Sequence, residues 1–244
     1  MNGRTWEKNG LKLDIPFSVP GVSTVMLLHH DERYTMIDCG DGAASYIHSL
    51  FGNGKTMYGS VSEILLTHEH MDHSGGIPSL LMLFEVAGRE ASLNIVTPCG
   101  EEGTVGEMLS LIRSKLHFEV NLMNITGGPH HGTYQTGKAE VIAFRTRHRD
   151  SFPARRCGDP VQSSGYSIRR NGIKIVFSGD TGPAETLDRE CTGADLAVLE
   201  STLEKQSDCE GLHLTVSEAL EIGSLAHEKI LIHPLRDESG NVLT

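Results

Sequence analysis

The chain has 244 residues, of which 38% are hydrophobic and 22% are charged, a composition typical of a globular protein with a hydrophobic core. Its formal net charge of −11 argues against a general nucleic-acid coat protein, and no apolar run is long enough to cross a bilayer. Five scattered cysteines without a CxxC pair favour reduced thiols, and the polar start of the chain does not read as a secretory signal. We therefore expect a soluble, cytoplasmic protein without membrane contact.

The first half of the chain alternates between predicted strands and helices. Two apolar runs flank Asp31-Glu32 and predict a hairpin, and Pro78 fits the first turn of a helix. The predicted strands here are residues 23–30, 33–40, 61–67 and 93–98, and the predicted helices are residues 43–51, 77–88 and 104–116.

The second half of the chain repeats this alternation. Asn171-Gly172 predicts the turn of a hairpin over residues 166–180, and Thr215 with Glu218 predicts a capping box. Other predicted strands lie between 118 and 147 and over 194–200 and 229–234, with helices over 183–191 and 215–228. No repeat, low-complexity tract or linker interrupts the chain. We therefore predict a single domain, residues 1–244, of the α/β (α+β) class, with two sheets and helices outside them.

One short segment, LLTHEHMDHSGG at positions 65–76, concentrates metal-ligand residue types where a strand ends and a helix begins. A tight turn there lets alternate side chains converge, and imidazole and carboxylate are the ligands that Zn²⁺ prefers outside thiolate sites. An open catalytic zinc usually takes three protein ligands, so four suit half of each of two metals. The four candidates are His68, His70, Asp72 and His73. Further candidates end other predicted strands, where loops gather into sites: His148, Asp180 and His233.

The HxHxDH pattern followed by Gly-Gly resembles the signature of the metallo-β-lactamase superfamily. Other segments resemble, in the same order, motifs of the ribonuclease Z group of zinc phosphodiesterases: MIDCGDG, SSGYSI, IVFSGDT, ADLAVLEST, LHLTVSEAL and KILIHP. This resemblance implies a four-layer αβ/βα sandwich and suggests a homodimer.

The resemblance also implies a dinuclear centre of two Zn²⁺, with Mn²⁺ or Fe²⁺ as alternatives. It assigns one metal to His68, His70 and His148, and the other to Asp72, His73 and His233. Asp180 would bridge the two metals, and Asp38 would support the metal loop without being a ligand.

The same resemblance implies catalytic roles for three residues. His213 would lie by the substrate phosphate and aid proton transfer, and Glu200 would orient His213. Asp72 would act as a ligand first and as a proton acceptor second. Two metals that share a water would lower its pKa to about 7, so we expect a metal-bridging hydroxide as the nucleophile.

The expected activity is hydrolysis of a phosphodiester, either at the 3′ end of tRNA or in a small or cyclic nucleotide diester. Only positions 149–179 separate His148 from Asp180, which leaves no room for the long arm that grips tRNA in ribonuclease Z enzymes. One alternative is a metallohydrolase of the same fold that acts on a lactone or thioester. Another is a non-catalytic metal-binding or sensor protein, which the complete set of seven ligands argues against.

An arginine-rich stretch follows the predicted ligand His148. Arg155 and Arg156 could bind substrate phosphates, because arginine pairs with phosphate in a bidentate manner. Their other interpretation is an ordinary solvated face. The sequence leaves both interpretations open.

Overall fold

A computed structural model describes residues 3–52, 54–124, 132–150, 158–205 and 212–234. The chain divides into two compact units, Met1–Asn124 and Ile125–Thr244. Within the described ranges no helix combines the length and apolar character needed to cross a membrane. The single domain over residues 1–244 stays a prediction.

The first unit contains one seven-stranded mixed sheet in the order β1-β2-β3-β4-β5-β6-β7. Strands β1 to β4 pair in antiparallel fashion, and β4 to β7 pair in parallel. The strands are β1 (Arg4–Lys8), β2 (Leu11–Val19), β3 (Ser23–His30), β4 (Arg33–Cys39), β5 (Val61–Leu65), β6 (Leu93–Val96) and β7 (Val120–Met123). Asp31 and Glu32 have φ values of 49° and 63°, as a two-residue type I′ turn between β3 and β4 requires.

Helices pack on one face of this sheet. They are α1 (Ala43–Phe51), α2 (Met71–Ser74), α3 (Ile77–Val86) and α4 (Thr104–Ile112), with 3₁₀ turns at Lys55–Ser60, Gly100–Glu102 and Arg113–Lys115. Ile47, Phe84 and Leu109 from three of the helices join a single apolar cluster with Val25 and Ile64 of the strands. Burial of this apolar face, at roughly 25 cal/mol per Å², holds the helices on the sheet.

The second unit contains a six-stranded sheet in the order β15-β14-β13-β12-β9-β8 and a two-stranded sheet of β10 and β11. Pairing is antiparallel from β8 to β13 and parallel from β13 to β15. The strands are β8 (Thr133–Thr136), β9 (Ala139–Arg145), β10 (His148–Arg149), β11 (Pro160–Val161), β12 (Ser164–Arg170), β13 (Ile173–Phe177), β14 (Leu196–Glu200) and β15 (Glu228–Ile232).

Two helices, α5 (Glu185–Cys191) and α6 (Val216–Gly223), pack on the six-stranded sheet. Leu187 and Ala219 from these helices join an apolar cluster with Phe144 and Val176 of the strands. The predicted capping box starts α6: the Thr215 hydroxyl accepts from the Glu218 backbone N–H, and the Glu218 side chain accepts from the backbone of Thr215.

The predicted α/β class with two sheets is confirmed, and most predicted elements are present. Both predicted hairpins form, whereas β1 and β2 were not predicted. Four helices are shorter than predicted, α3 and α5 by two residues each and α4 and α6 by more. The helix predicted over 104–116 becomes 3₁₀ after Ile112, and the helix predicted over 215–228 ends at Gly223, where the chain turns back into β15.

Candidate metal centre

The metal loop of the first unit is fixed against the end of β4 by a close backbone approach. The Gly76 N–H donates to the Cys39 carbonyl at 2.8 Å. A Cβ atom on Gly76 would lie only 2.1 Å from the carbonyl oxygen of Gly40. Only glycine allows this contact, which explains the second glycine of the Gly-Gly pair that follows the histidines.

Asp38 supports the metal loop through hydrogen bonds to two of its residues. Its side chain is fully buried, and Oδ1 accepts the backbone N–H of Thr67 at 2.8 Å. Oδ2 accepts Nδ1–H of His73 at 2.8 Å. Since a carboxylate can only accept, the His73 ring carries its proton on Nδ1, and Nε2 holds the lone pair that a metal needs. These contacts agree with the supporting role predicted for Asp38.

The four ligand candidates of this loop lie together. Nε2 of His68 is 3.1 Å from Nδ1 of His70, and Nε2 of His73 is 3.6 Å from Oδ2 of Asp72. Two donors on one tetrahedral zinc, with bonds of about 2.0–2.1 Å, lie roughly 3.4 Å apart. Both pairs therefore have the spacing of atoms that share a metal. The N–H of Gly21 donates to Oδ2 of Asp72 at 2.8 Å and orients this carboxylate.

The two residues between the ligand candidates, Glu69 and Met71, have other surroundings. Glu69 accepts from the Thr97 hydroxyl and from the Val105 N–H at 3.2 Å, in the first turn of α4, where a carboxylate is favourable. Burial, together with the negative charge of Glu69, raises the pKa of the Cys99 thiol to about 11. Met71 is 60% exposed.

The second unit holds the other candidates. One ligand atom from each of His148, Asp180 and His213 lies within 4.8 Å of the others, and the same holds for Glu200, His213 and His233. His233 follows β15 directly, and Asp180 follows β13 after two residues. His148 was predicted to close a strand, but it begins β10, because β9 already ends at Arg145.

Glu200, the last residue of β14, is fully buried and organises this cluster. Its Oε1 accepts Nδ1–H of His213 at 3.0 Å, the N–H of Leu214 at 3.0 Å and the N–H of Thr181 at 3.1 Å. Its Oε2 accepts the N–H of Thr202 at 2.9 Å. The direct contact with His213 is the one that the sequence comparison implied for Glu200.

His148 also presents a defined ring nitrogen. Its Nδ1 lies 2.8 Å from the carbonyl oxygen of Leu212, which can only accept, so Nε2 holds the lone pair. A backbone or carboxylate acceptor on the second nitrogen is the usual companion of a metal-ligating histidine. By their donor types, by their spacing within each unit and by their ring tautomers, the candidate ligands fit divalent zinc.

The structure thus groups four predicted ligands in the first unit and His148, Asp180, Glu200, His213 and His233 in the second. Their assignment to metals stays a prediction. Arg155 and Arg156 lie outside the described residues. Sequence reasoning missed Thr67, Thr202 and Gly21, which contact candidate ligands through a hydroxyl or a backbone N–H and carry no motif of their own.

The fold and these clusters define an α/β protein with the side chains of a metal-binding hydrolase. The family model described as "Beta-lactamase superfamily domain" matches residues 33–233, which include all seven predicted ligands. The chain belongs to this superfamily.

Relatives in sequence and in structure agree with that assignment. Ribonuclease Z of Methanothermobacter thermautotrophicus is 27% identical, over 81% of this chain and 75% of its own length. The metallo-β-lactamase fold protein YhfI of Bacillus subtilis has a TM-score of 0.72 at 18% identity, covering 93% of this chain and 86% of its own. The short form of human tRNase Z has a TM-score of 0.65 at 22% identity, covering 90% of each chain. The predicted metallo-β-lactamase fold is confirmed.

Proposed function

We propose that this chain is a metal-dependent hydrolase that cleaves phosphodiesters, of the ribonuclease Z type. Membership of the superfamily and the histidine–aspartate donor sets support metal dependence. The relative named ribonuclease Z supports the phosphodiester, and nothing in the relatives described above favours the lactone or thioester alternative.

The observation that carries the proposal is the pair of ring tautomers set by the buried carboxylate of Asp38 and the backbone carbonyl of Leu212. His73 in one unit and His148 in the other each donate from Nδ1 and keep Nε2 for a metal. We assign both sets to one dinuclear centre, as the family resemblance implies. His68, His70 and His148 would hold one metal, Asp72, His73 and His233 would hold the other, and Asp180 would be a ligand of both. Zinc is the expected metal, with manganese or iron as alternatives.

When bound, such metals supply an activated water and offset the charge that develops on the phosphate oxygens. The side chains of this protein do the rest. Asp72 is held by Gly21 with one carboxylate oxygen, and this contact keeps it oriented as a ligand. His213 donates Nδ1–H to Glu200, and this contact fixes the ring. When the ring is doubly protonated, the second proton, on Nε2, can pass to the leaving oxygen.

The substrate class comprises RNA and small or cyclic nucleotide diesters. The short span between His148 and Asp180 supports the smaller diesters, whereas the named relative supports RNA. We also propose a cytoplasmic protein, which the free thiols of Cys39, Cys99 and Cys191 support. A homodimer remains a prediction that light scattering can test.

The test is the initial rate of zinc-loaded protein on bis(p-nitrophenyl) phosphate, followed by a 3′-extended tRNA and a cyclic nucleotide. Asp72→Ala should abolish turnover. His213→Ala should lower kcat by about 10²–10⁴-fold, the usual contribution of a general acid. His227→Ala is the matched control, since this exposed histidine lies outside both clusters and should leave the rate unchanged.

Absence of turnover by metal-loaded wild-type protein on all three substrates would refute the proposal. Turnover that survives in Asp72→Ala would refute the assigned site. A rate on the cyclic nucleotide well above that on tRNA would identify a small diester as the substrate.

A further inference from the structure

The two units share one arrangement around a buried carboxylate. Asp38 in the first unit and Glu200 in the second are both fully buried. Each accepts Nδ1–H of one histidine directly, His73 at 2.8 Å and His213 at 3.0 Å. Each also reaches a second histidine through the hydroxyl of a threonine. This second, indirect contact has no role in the function proposed above.

In the second unit the threonine is Thr202. Its Oγ1 lies 2.8 Å from Oε2 of Glu200 and 2.9 Å from Nδ1 of His233. A hydroxyl has one hydrogen, and the carboxylate oxygen can only accept it. The carbonyl oxygen of His233, at 3.1 Å, is the other acceptor within reach. Whichever oxygen takes the hydrogen, Nδ1 of His233 must be the donor in its own contact with Thr202.

In the first unit the threonine is Thr67. Its Oγ1 lies 3.0 Å from Oδ2 of Asp38 and 3.2 Å from Nδ1 of His68. The same reasoning makes the hydroxyl a donor to the carboxylate and an acceptor from the ring. In both units, therefore, the carboxylate sets the direction of the hydroxyl, and the hydroxyl sets the tautomer of the histidine.

We propose that Thr202 is a positioning residue that holds His233 as the Nδ1–H tautomer and so keeps Nε2 open to a metal. Thr67 does the same for His68. This inference rests on the proposed function for the metal, but the tautomer itself is a property of the metal-free protein. Each threonine acts on one metal of the pair, because His68 and His233 are assigned to different metals.

The experiment compares wild-type protein with Thr202→Val, which keeps the shape of the side chain and removes the hydroxyl. Zinc affinity of the chelator-stripped protein is measured by competition with a chromophoric chelator. Loss of an outer contact to a ligand histidine typically lowers metal affinity about 10–100-fold, so one of two zinc equivalents should weaken by that factor. Thr202→Ser keeps the hydroxyl and should restore the affinity.

Two further variants test whether the effect passes through His233. In a His233→Ala background, Thr202→Val should cause no additional loss, as expected for two residues that act as a unit. Thr67→Val, the matched variant of the first unit, should still weaken zinc binding there, because it acts on the other metal. Long-range ¹H–¹⁵N NMR of the metal-free protein should show His233 as Nδ1–H in wild type and as a tautomer mixture in Thr202→Val.

Unchanged zinc affinity in Thr202→Val, or an equal further loss in the His233→Ala background, would overturn the inference. So would an unaltered His233 tautomer in the NMR spectrum. If the valine variant does not fold, Thr202→Ala removes the same hydroxyl with a smaller side chain and serves in its place. Wild-type protein that binds no zinc would refute the proposed function alone, since the NMR measurement still decides the tautomer.

Discussion

Replacement of Asp38 by asparagine should reverse the tautomer of His73. Asp38 has a φ of 58°, a left-handed conformation that asparagine adopts about as readily as aspartate, so the backbone is not strained by the change. The amide can keep its oxygen toward the Thr67 N–H and turn its nitrogen toward His73. An amide nitrogen donates, so Nδ1 of His73 would become the acceptor and Nε2 would carry the proton.

The size of the effect follows from the contacts that change. Three donors lose a charged acceptor: the N–H and hydroxyl of Thr67 and the ring of His73. A hydrogen bond to a charged group is worth roughly 1 kcal/mol more than a neutral one, so the free energy of unfolding should fall by about 1–3 kcal/mol. For a chain of this length each kcal/mol corresponds to roughly 2–4 °C in Tm. Zinc affinity should fall about 10–100-fold at the site assigned to His73. The site assigned to His68 should be spared, because the Thr67 hydroxyl, 3.1 Å from Oδ1 of Asp38, can still donate to the amide oxygen in that position.

The assays are urea unfolding of the metal-free protein, zinc competition and ring ¹⁵N NMR. Asp14→Asn is the matched control, since it makes the same chemical change on strand β2, at a carboxylate that contacts Thr5 and Lys12. Wild-type zinc affinity in Asp38→Asn, with His73 still protonated on Nδ1, would refute the reasoning. A loss of stability without any loss of zinc affinity would limit Asp38 to a structural role.

Three further predictions test other contacts. Gly76→Ala would place a Cβ 2.1 Å from the backbone oxygen of Gly40, so it should lower the free energy of unfolding by about 1–3 kcal/mol and weaken zinc binding. Gly59→Ala is the control and should be tolerated, because its Cβ would meet nothing closer than 3.7 Å. Equal urea midpoints for the two variants would contradict this prediction. Thr215→Ala removes the hydroxyl of the α6 capping box and should cost about 1 kcal/mol in urea unfolding, whereas Thr215→Ser should be neutral. Hydrogen bonds from the backbone N–H of His117 and, second, from its ring lower the pKa of Glu85. The contact therefore stabilises the fold at pH values above the usual carboxyl pKa, and this stabilisation is lost as the pH falls through the lowered pKa. His117→Ala should raise the Glu85 pKa measured by NMR, and an unchanged pKa would contradict the contact.

Much of the fold could be predicted because its signals are local. The hairpins at Asp31-Glu32 and Asn171-Gly172 depend on turns that two adjacent residues define. The same signal was present and missed at Asn9-Gly10, which joins β1 to β2 with φ values of 49° and 81°. Strand β1 has only one buried side chain among mostly exposed ones, so its apolar alternation is too weak to mark a strand.

The ligand candidates could be predicted for a different reason. They stand at or just beyond the ends of strands, where a rigid sheet presents its loops. The threonine contacts could not, because they depend on strand pairing between distant segments. Parallel pairing of Ile37 with Leu65 brings Asp38 to Thr67, and pairing of Glu200 with Ile232 brings Thr202 to His233. Register of this kind is a property of the assembled sheet and has no signature in either segment alone.

Asp38 and Glu200 differ in the proposed roles of the histidines that they contact. Asp38 reaches His68 and His73, which are assigned to different metals, so its charge organises ligands only. Glu200 reaches His213 and His233, a proposed proton carrier and a proposed ligand. The N–H groups and hydroxyl around Glu200 stabilise its buried charge, because hydrogen bonds from several donors offset the loss of water. One buried carboxylate thereby orients, through Oε1, the group that would transfer a proton and, through Oε2 and Thr202, a group that would bind the metal.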